Sequence, residues 1–332
     1  MRNDEQAVTP ASQPYKRSAN HWKWLIKRYS NIHIQGDQPN VFVFATARSG
    51  STWLMEIIAS QSGIKFIDEP LLMSQFGYAG APLPSSWGFL LPHPGRESKL
   101  ESYFVQLLEN RLAVGSPAPF SRFHRFLSRR IVVKDLRCHD LMNWFEKKFG
   151  FKIIYLLRHP IPTALSRQSY ARLCLFLSND HYCRRYLRPE LRAYGWSILE
   201  EGSELQKKVL DWTLQNLPPL KFLDRKQWLC LHYEDMVVDP ATTIERLADF
   251  IGSLDKQKML RQADIASGSA SLSDADTQRF LRQEAASRDR MYLINKWRKR
   301  ISAEEEKQAF EILRNFEIDI YQPGEDLPVQ RL

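Results

Sequence analysis

Ten residues from Ala45 to Leu54 read Ala-Thr-Ala-Arg-Ser-Gly-Ser-Thr-Trp-Leu, and their types suit one task, holding an oxyanion. A glycine inside a turn lets backbone N–H groups approach an anion closely, and a helix starting directly afterwards adds partial positive charge. Ser49, Ser51 and Thr52 contribute hydroxyl donors. Arg48 contributes a guanidinium fork that is always ionised. The run fits a phosphate or sulfate; read alone, it also fits an ordinary Ser/Gly turn capped by Thr52. Laid on the nucleotide-kinase loop G-x-x-x-x-G-K-[ST], Gly50 and Thr52 match, Ala45 replaces the first glycine and Ser51 replaces the lysine. The cation has moved inside the loop, to Arg48. A second candidate pair follows the apolar run Lys152–Leu157: Arg158 at its end, and Ser166 eight positions on. A strand-end arginine and a serine on the next helix can converge on one phosphate, although Arg158 alone also reads as a surface arginine.

The segment R-S-G-S-T-W-L after a strand resembles the 5′-phosphosulfate loop of the sulfotransferases that use 3′-phosphoadenosine 5′-phosphosulfate (PAPS). Arg158 with Ser166, in the expected order, resembles that family's 3′-phosphate signature. Leu231–Met236 with Asp239-Pro240 resembles its Y-E-D-L…D-P segment, read here as structural: Pro240 starts a helix and Glu234 anchors the neighbouring phosphate loop. Lys296-Trp297-Arg298-Lys299 resembles the C-terminal segment that closes over the nucleotide; the same run also reads as a basic helix end favoured by the macrodipole. The resemblance spans roughly residues 40–320 and is weak in the acceptor-facing loops, 71–130 and 171–200. It implies PAPS as co-substrate, with Arg48, Ser49, Gly50, Ser51, Thr52, Trp53, Arg158, Ser166, Trp297 and Arg298 in its binding site.

Sulfonate transfer is an in-line displacement at sulfur and needs a general base and a cation. Arg48 fits the cation. A sulfonate carries less charge than a γ-phosphate, so no Mg²⁺ is required in principle, and no metal-ligand spacing of His, Cys or carboxylates is present. The small-molecule branch of the family takes its base from a strand-end Lys-x-His. Here the stretch is Lys134-Asp135-Leu136, and that histidine is missing. The carbohydrate branch uses a Glu after the second strand, a pattern that Glu69-Pro70 fits. The resemblance therefore implies Glu69 as base, Lys134 as a further ligand of the sulfonate, and a sugar hydroxyl of a glycan or glycolipid as acceptor. His139 and His93 stand in reserve. A lipid or small alcohol is the alternative acceptor. A nucleotide-dependent phosphotransferase, which should carry a loop lysine, and a non-enzymatic anion-binding module are the alternatives of other classes.

The elements that must position these groups are legible as alternating strands and helices. Val41–Phe44, Ile64–Ile67, Ile131–Val133, Lys152–Leu157 and Trp228–His232 read as strands. Thr52–Gln61, Leu141–Phe149, a stretch from Ile161 and Pro240–Ile251 read as helices. Such alternation predicts an α/β fold, one domain with a central parallel sheet flanked by helices and a P-loop-like turn. Residues 74–97 have loop composition, with Trp87 and Phe89 as aromatic anchors. The expected organisation is a basic tail over 1–38, partly disordered, a catalytic domain over 39–322 and a short tail over 323–332.

The 332 residues are 43% hydrophobic and carry a formal charge of +9, which favours anionic partners. A nucleic-acid stripe of interleaved basic and aromatic residues is absent beyond 22–29, so no nucleic-acid partner is expected. Lys16, Arg17, Lys23, Lys27 and Arg28 flank Trp22, Ile26 and Tyr29, which share one helical face. This segment reads either as a helix packed on its own domain or as a peripheral membrane contact over 16–29. No run approaches the ~20 apolar residues of a membrane span and no secretory signal is visible. The four scattered cysteines suggest free thiols, so the expected location is cytoplasmic, with peripheral contact at the inner membrane face.

Overall fold

The computed structural model describes residues 25–26, 29–72, 83, 87–112, 114–167, 172–252, 254–265, 267 and 290–332. In chain order these form β1 (Ile32–His33), β2 (Val41–Ala45), α1 (Ser51–Ala59), β3 (Ile64–Asp68), α2 (Arg96–Leu108), β4 (Leu127–Ser128), β5 (Arg130–Asp135), α3 (Met142–Phe149), β6 (Lys152–Leu157) and α4 (Pro160–Leu165). There follow α5 (Leu173–Ser178), α6 (Asp180–Tyr186), α7 (Pro189–Glu201), α8 (Glu204–Leu217), β7 (Leu229–His232), α9 (Tyr233–Val238), α10 (Pro240–Ile251), α11 (Lys256–Ala263), α12 (Arg290–Asn295) and α13 (Ala303–Asn315).

The order β3-β5-β2-β6-β7 makes one five-stranded sheet, with every pair parallel. Alternation along β2 explains why it sits in the middle. Val41, Val43 and Ala45 face one apolar layer, which α1, α10 and α11 complete. Phe42 and Phe44 face the other, built with α2, α3, α8 and α13, and their rings stack at 4.1 Å. A strand buried on both faces must be apolar at successive positions, which is why it reads as an unbroken hydrophobic run.

From β2 the chain passes through α1 to edge strand β3, whereas β5 crosses to β6 on the other side of β2. In such a sheet ligands bind outside the carboxyl ends of the strands, at this reversal. Register brings the strand ends into one row: Asp68 opposite Lys134, Phe44 opposite Asp135, Ala45 opposite Leu156, and Leu157 opposite His232.

Two stretches read as acceptor-facing loops hold helices instead: α2 lies within 71–130, and α5, α6 and α7 fill 173–201. Their apolar residues recur at helical spacing between charges. Leu100, Tyr103, Phe104 and Leu107 of α2 are all buried. The stretch 31–36, assigned to the N-terminal tail, is hydrogen-bonded to the domain: β1 pairs with β4, and the Lys65 ammonium donates to the Asn31 carbonyl at 3.2 Å. At the other terminus Arg331 forms a two-pronged pair with Asp235 at 3.0 and 3.1 Å. The four cysteines are free thiols, with Cys174 exposed and Cys138, Cys183 and Cys230 buried. Among the described residues no helix is long and apolar enough to cross a membrane.

Candidate active site

The loop after β2 is pinned from within and from behind. Thr46 and Ser49 share a 2.7 Å hydroxyl hydrogen bond, and both are buried. Arg48 and Gly50 adopt positive φ, 70° and 82°, which turns the chain sharply into the N-terminus of α1. Arg48 itself is exposed, while Ser51 is buried at the first helical position and Thr52 follows, half-buried. A Cβ on Gly50 would lie 2.5 Å from Cδ2 of Tyr233. Glycine is therefore required twice at this position, by backbone conformation and by close approach.

Tyr233, the first residue of α9, ties the loop after β2 to Arg158 at the end of β6. The Arg158 guanidinium lies over its ring, 4.2 Å from the centroid, and Nη1 of Arg158 donates to the Arg48 carbonyl at 2.8 Å. Trp53 meets the same ring edge-on at 6.2 Å, and its indole N–H donates to the Ala263 carbonyl at 3.2 Å. Ser166 caps the C-terminus of α4, its hydroxyl donating to the Pro162 carbonyl at 2.8 Å.

Behind Arg158 lies a buried polar network. Glu234 accepts from the His159 backbone N–H at 2.9 Å and from the Tyr321 hydroxyl at 3.0 Å. Tyr321 also lies 3.1 Å from Nδ1 of His232. The anchoring role expected of Glu234 thus falls on the Arg158-His159 turn. Burial pushes the Glu234 carboxyl up to about 7 against the opposing pull of its donors. His159 packs between Trp297 at 4.9 Å and Tyr321 at 4.9 Å. Trp297 is thereby part of the core. Arg298 lies over the Trp297 ring and pairs with Asp326 at 2.7 Å and Glu306 at 3.2 Å. These two residues reach the Arg158-His159 turn through the packing of Trp297 on His159.

The third group gathers at the ends of β3 and β5. The Lys134 ammonium, fully buried, pairs with Asp68 at 2.6 Å and Glu69 at 2.9 Å. The other oxygen of Glu69 takes Nη2 of Arg137 at 3.1 Å, while Nη1 of Arg137 goes to Asp135 at 3.0 Å. Glu69 holds φ 46°, and its N–H donates to the Lys134 carbonyl at 2.7 Å, which aims its side chain at the sheet end. Burial acts to raise the Glu69 carboxyl, but Lys134 and Arg137 outweigh it and hold the group below the usual carboxylate range. For Lys134 burial opposes ionisation, and Asp68 and Glu69 overcome it.

Of the reserve histidines, His139 is buried beside Phe44, 6.0 Å between centroids. Burial, aided by Arg172, pushes its pKa down to about 3, so the ring is neutral. His93 lies before α2 with Nδ1 2.8 Å from the Pro94 carbonyl and its ring tilted against Phe89, 5.2 Å between centroids.

Three residues here were not singled out from sequence. Arg137 had a faint signal, a cation two places after the buried Asp135. Arg167 reaches the Ala47 carbonyl of the loop at 3.4 Å and pairs with Asp211 on α8, itself held by Gln215 at 2.6 Å. An Asp between Leu210 and Trp212 is the only mark of that contact in the sequence. Tyr321 lies about ninety positions from Glu234, beyond the reach of any local pattern.

The arrangement sets a strand-loop-helix turn suited to an anion at the sheet's reversal. Residues 38–315 match the family model described as the sulfotransferase domain, and the chain belongs to that family. No curated protein matches it. Solved structures with low-scoring resemblance include mouse sulfotransferase SULT7A1 complexed with PAP: 17% identity, 88% of this chain and 87% of that one, TM-score 0.40. The sulfotransferase domain of the Synechococcus PCC 7002 olefin synthase gives 17% identity, 87% and 98% coverage, and TM-score 0.42. A sulfotransferase from Alicyclobacillus acidocaldarius gives 15%, 86% and 98%, and 0.37. The family assignment rests on the domain match.

Proposed function

We propose that this sulfotransferase takes the sulfonate from PAPS and passes it to a sugar hydroxyl of a glycan or glycolipid. The observation that carries the donor is the union of the two phosphate motifs, with Arg158 bonded to the Arg48 carbonyl and stacked on the ring that fills the Gly50 gap. The N-terminus of α1, with Ser49, Ser51, Thr52 and Arg48, takes the 5′ side. Arg158, with Ser166 on the next helix, takes the 3′-phosphate. Trp53 flanks the loop, and Trp297 and Arg298 support the site from behind.

Nucleophilic attack at sulfur breaks the bond to the bridging oxygen, on which negative charge builds. Arg48 and the helix N-terminus face that charge. Lys134 takes the sulfonate oxygens, and their arrival gives its ammonium a further anion beside Glu69. Glu69, already aimed at the strand end, accepts the proton of the acceptor hydroxyl. The support for the carbohydrate acceptor is Glu69-Pro70 at the end of β3 together with Leu136 in place of a histidine. Both remaining candidate histidines are poor substitutes, one neutral and buried and one capping a turn. Peripheral contact with the inner face of a cytoplasmic membrane remains part of this reading. Of the segment 16–29, Leu25, Ile26 and Tyr29 are described, and Ile26 and Tyr29 are exposed.

The test is transfer of labelled sulfonate from PAPS to extracted glycans and lipids. Label is expected in the glycan or glycolipid fraction, with EDTA present. Label confined to simple lipids or small alcohols moves the acceptor to the alternative class. Activity abolished by EDTA and restored by Mg²⁺ overturns the sulfotransfer reading in favour of phosphotransfer.

A further inference from the structure

Seven of the thirteen large hydrophobic side chains exposed among the described residues come from two short segments, 26–34 and 120–127. These segments are one surface. Ile32 and Leu127 are register partners in the β1–β4 ladder. Ile34 stands two residues on from Ile32, on the same side of the extended chain. The Phe120 and Phe126 rings lie 6.0 Å apart, and they are 78% and 60% exposed. The Ser30 hydroxyl, 3.1 Å from Nε2 of His124, ties the turn at Tyr29 to the loop.

The surface is fixed to the body rather than hanging from it. Phe123 turns inward onto Phe66 at 5.6 Å, and Arg125 donates to the Ala59 carbonyl at 3.1 Å. Ala59 ends α1, whose N-terminus carries the phosphate loop. Nine helical residues separate the two ends, about 13 Å. The crown therefore stands at the opposite pole from the nucleotide site.

Its charge is one-sided. No Asp or Glu occurs from 6 to 36 or from 110 to 134 in the sequence. Arg122 and Arg129 are exposed beside the aromatic tips, and Arg122 has one acidic neighbour, Glu56 at 3.8 Å. A second copy of the same surface would set cation against cation, since a two-fold contact is self-facing. Aromatic and aliphatic tips flanked by exposed arginines, with Glu56 the one acid paired to them among the described residues, match the two requirements of reversible adsorption to an anionic bilayer, apolar insertion and charge attraction.

We propose that the β1–β4 edge and the 120–127 loop form a membrane-docking face. Phe120, Phe126 and Ile32 enter the interface of an anionic bilayer, and Arg122 and Arg129 meet its headgroups. The nucleotide mouth then points away from the lipid. This inference is independent of the acceptor assignment.

Full-length protein is sedimented with vesicles of phosphatidylcholine alone or of phosphatidylcholine with phosphatidylserine, without donor or acceptor. Binding is expected to the anionic vesicles only and to fall with salt. Phe120→Ser with Phe126→Ser should lower it at least about tenfold, with PAP affinity and Tm unchanged because both rings are exposed. Arg122→Glu with Arg129→Glu should abolish the preference for anionic lipid. Three results overturn the proposal: absence of binding, binding that ignores vesicle charge, or an unaffected double phenylalanine variant. A solution dimer that the phenylalanine variant breaks also overturns it, in favour of a second copy. Because no donor is present, failure here leaves the transfer reading intact.

Discussion

At the scale of single residues the strand-end cluster sets two buried cations among three carboxylates. Lys134 and Arg137 both hold Glu69, yet each has a second carboxylate, Asp68 and Asp135. That redundancy makes Glu69→Gln a clean test, because neither buried cation is left alone. The variant should keep its fold and its affinity for the product nucleotide while kcat falls about 10²-fold or more, the scale for losing a positioned base. An active Glu69→Gln enzyme in a labelled-PAPS assay removes Glu69 from the mechanism. Arg158 makes the complementary case. Arg158→Ala should erase the preference for 3′-phosphoadenosine 5′-phosphate over ADP, a loss of about 2–5 kcal/mol for truncating one side of a desolvated charge pair. Calorimetry with both nucleotides reads it, and a preserved preference sinks the 3′-phosphate assignment.

At the scale of elements, the join between the β2 loop and α9 decides how well the loop is held. Gly50 combines φ 82° with a Tyr233 ring where a side chain would begin. In Gly50→Ala the ring must move, and with it the stacked guanidinium of Arg158. Nucleotide affinity should drop at least tenfold, with a Tm loss of several degrees from about 1–2 kcal/mol of backbone strain. Tyr233→Ala in the same background should restore part of the affinity by opening space. Equal affinity in Gly50→Ala and wild type would show that the ring does not constrain the loop.

At the scale of the whole molecule, Glu234, Tyr321, His232 and His159 join the ends of β6 and β7 to the C-terminal segment. Glu234 has a folded pKa of about 7, above its value in an unfolded chain. Its stabilising contribution is therefore fully present below the unfolded value and lost as pH rises through about 7. The buried histidines act in the opposite sense, their pKa values falling to about 3 and about 4, so they favour folding above their unfolded value. Comparing wild type with Glu234→Gln cancels the histidines. The stability of wild type relative to the variant should decline from about pH 5 to pH 8, by up to about 3 kcal/mol. Thermal melts across that range check it, and a constant difference means that Glu234 does not titrate in the fold.

Local chemistry was enough for a good part of this protein. The apolar runs at Val41 and Lys152 are strands because both faces of their sheet are covered. The helix Pro240–Ile251 has the bounds its starting proline and apolar spacing imply. Arg48 to Trp53 read as an anion loop because turn, helix start and hydroxyls are neighbours in the chain, and the turn into α1 forms where they stand. Other features depend on which strands become neighbours. Lys134 meets Glu69 because β5 lies beside β3, and Arg158 meets the Arg48 carbonyl because β6 lies beside β2. Arg137, Tyr233 and Tyr321 acquire partners only once the sheet is assembled, across as many as about 180 residues of chain. The helices within 173–201 were missed because short amphipathic segments between polar turns look like loops until a core gives them a face to bury. Of the apolar crown, only Ile26 and Tyr29 fall in the basic segment 16–29 read from sequence. Its second half, Phe120 to Leu127, joins it through a two-residue parallel ladder, a pairing that no sequence period encodes.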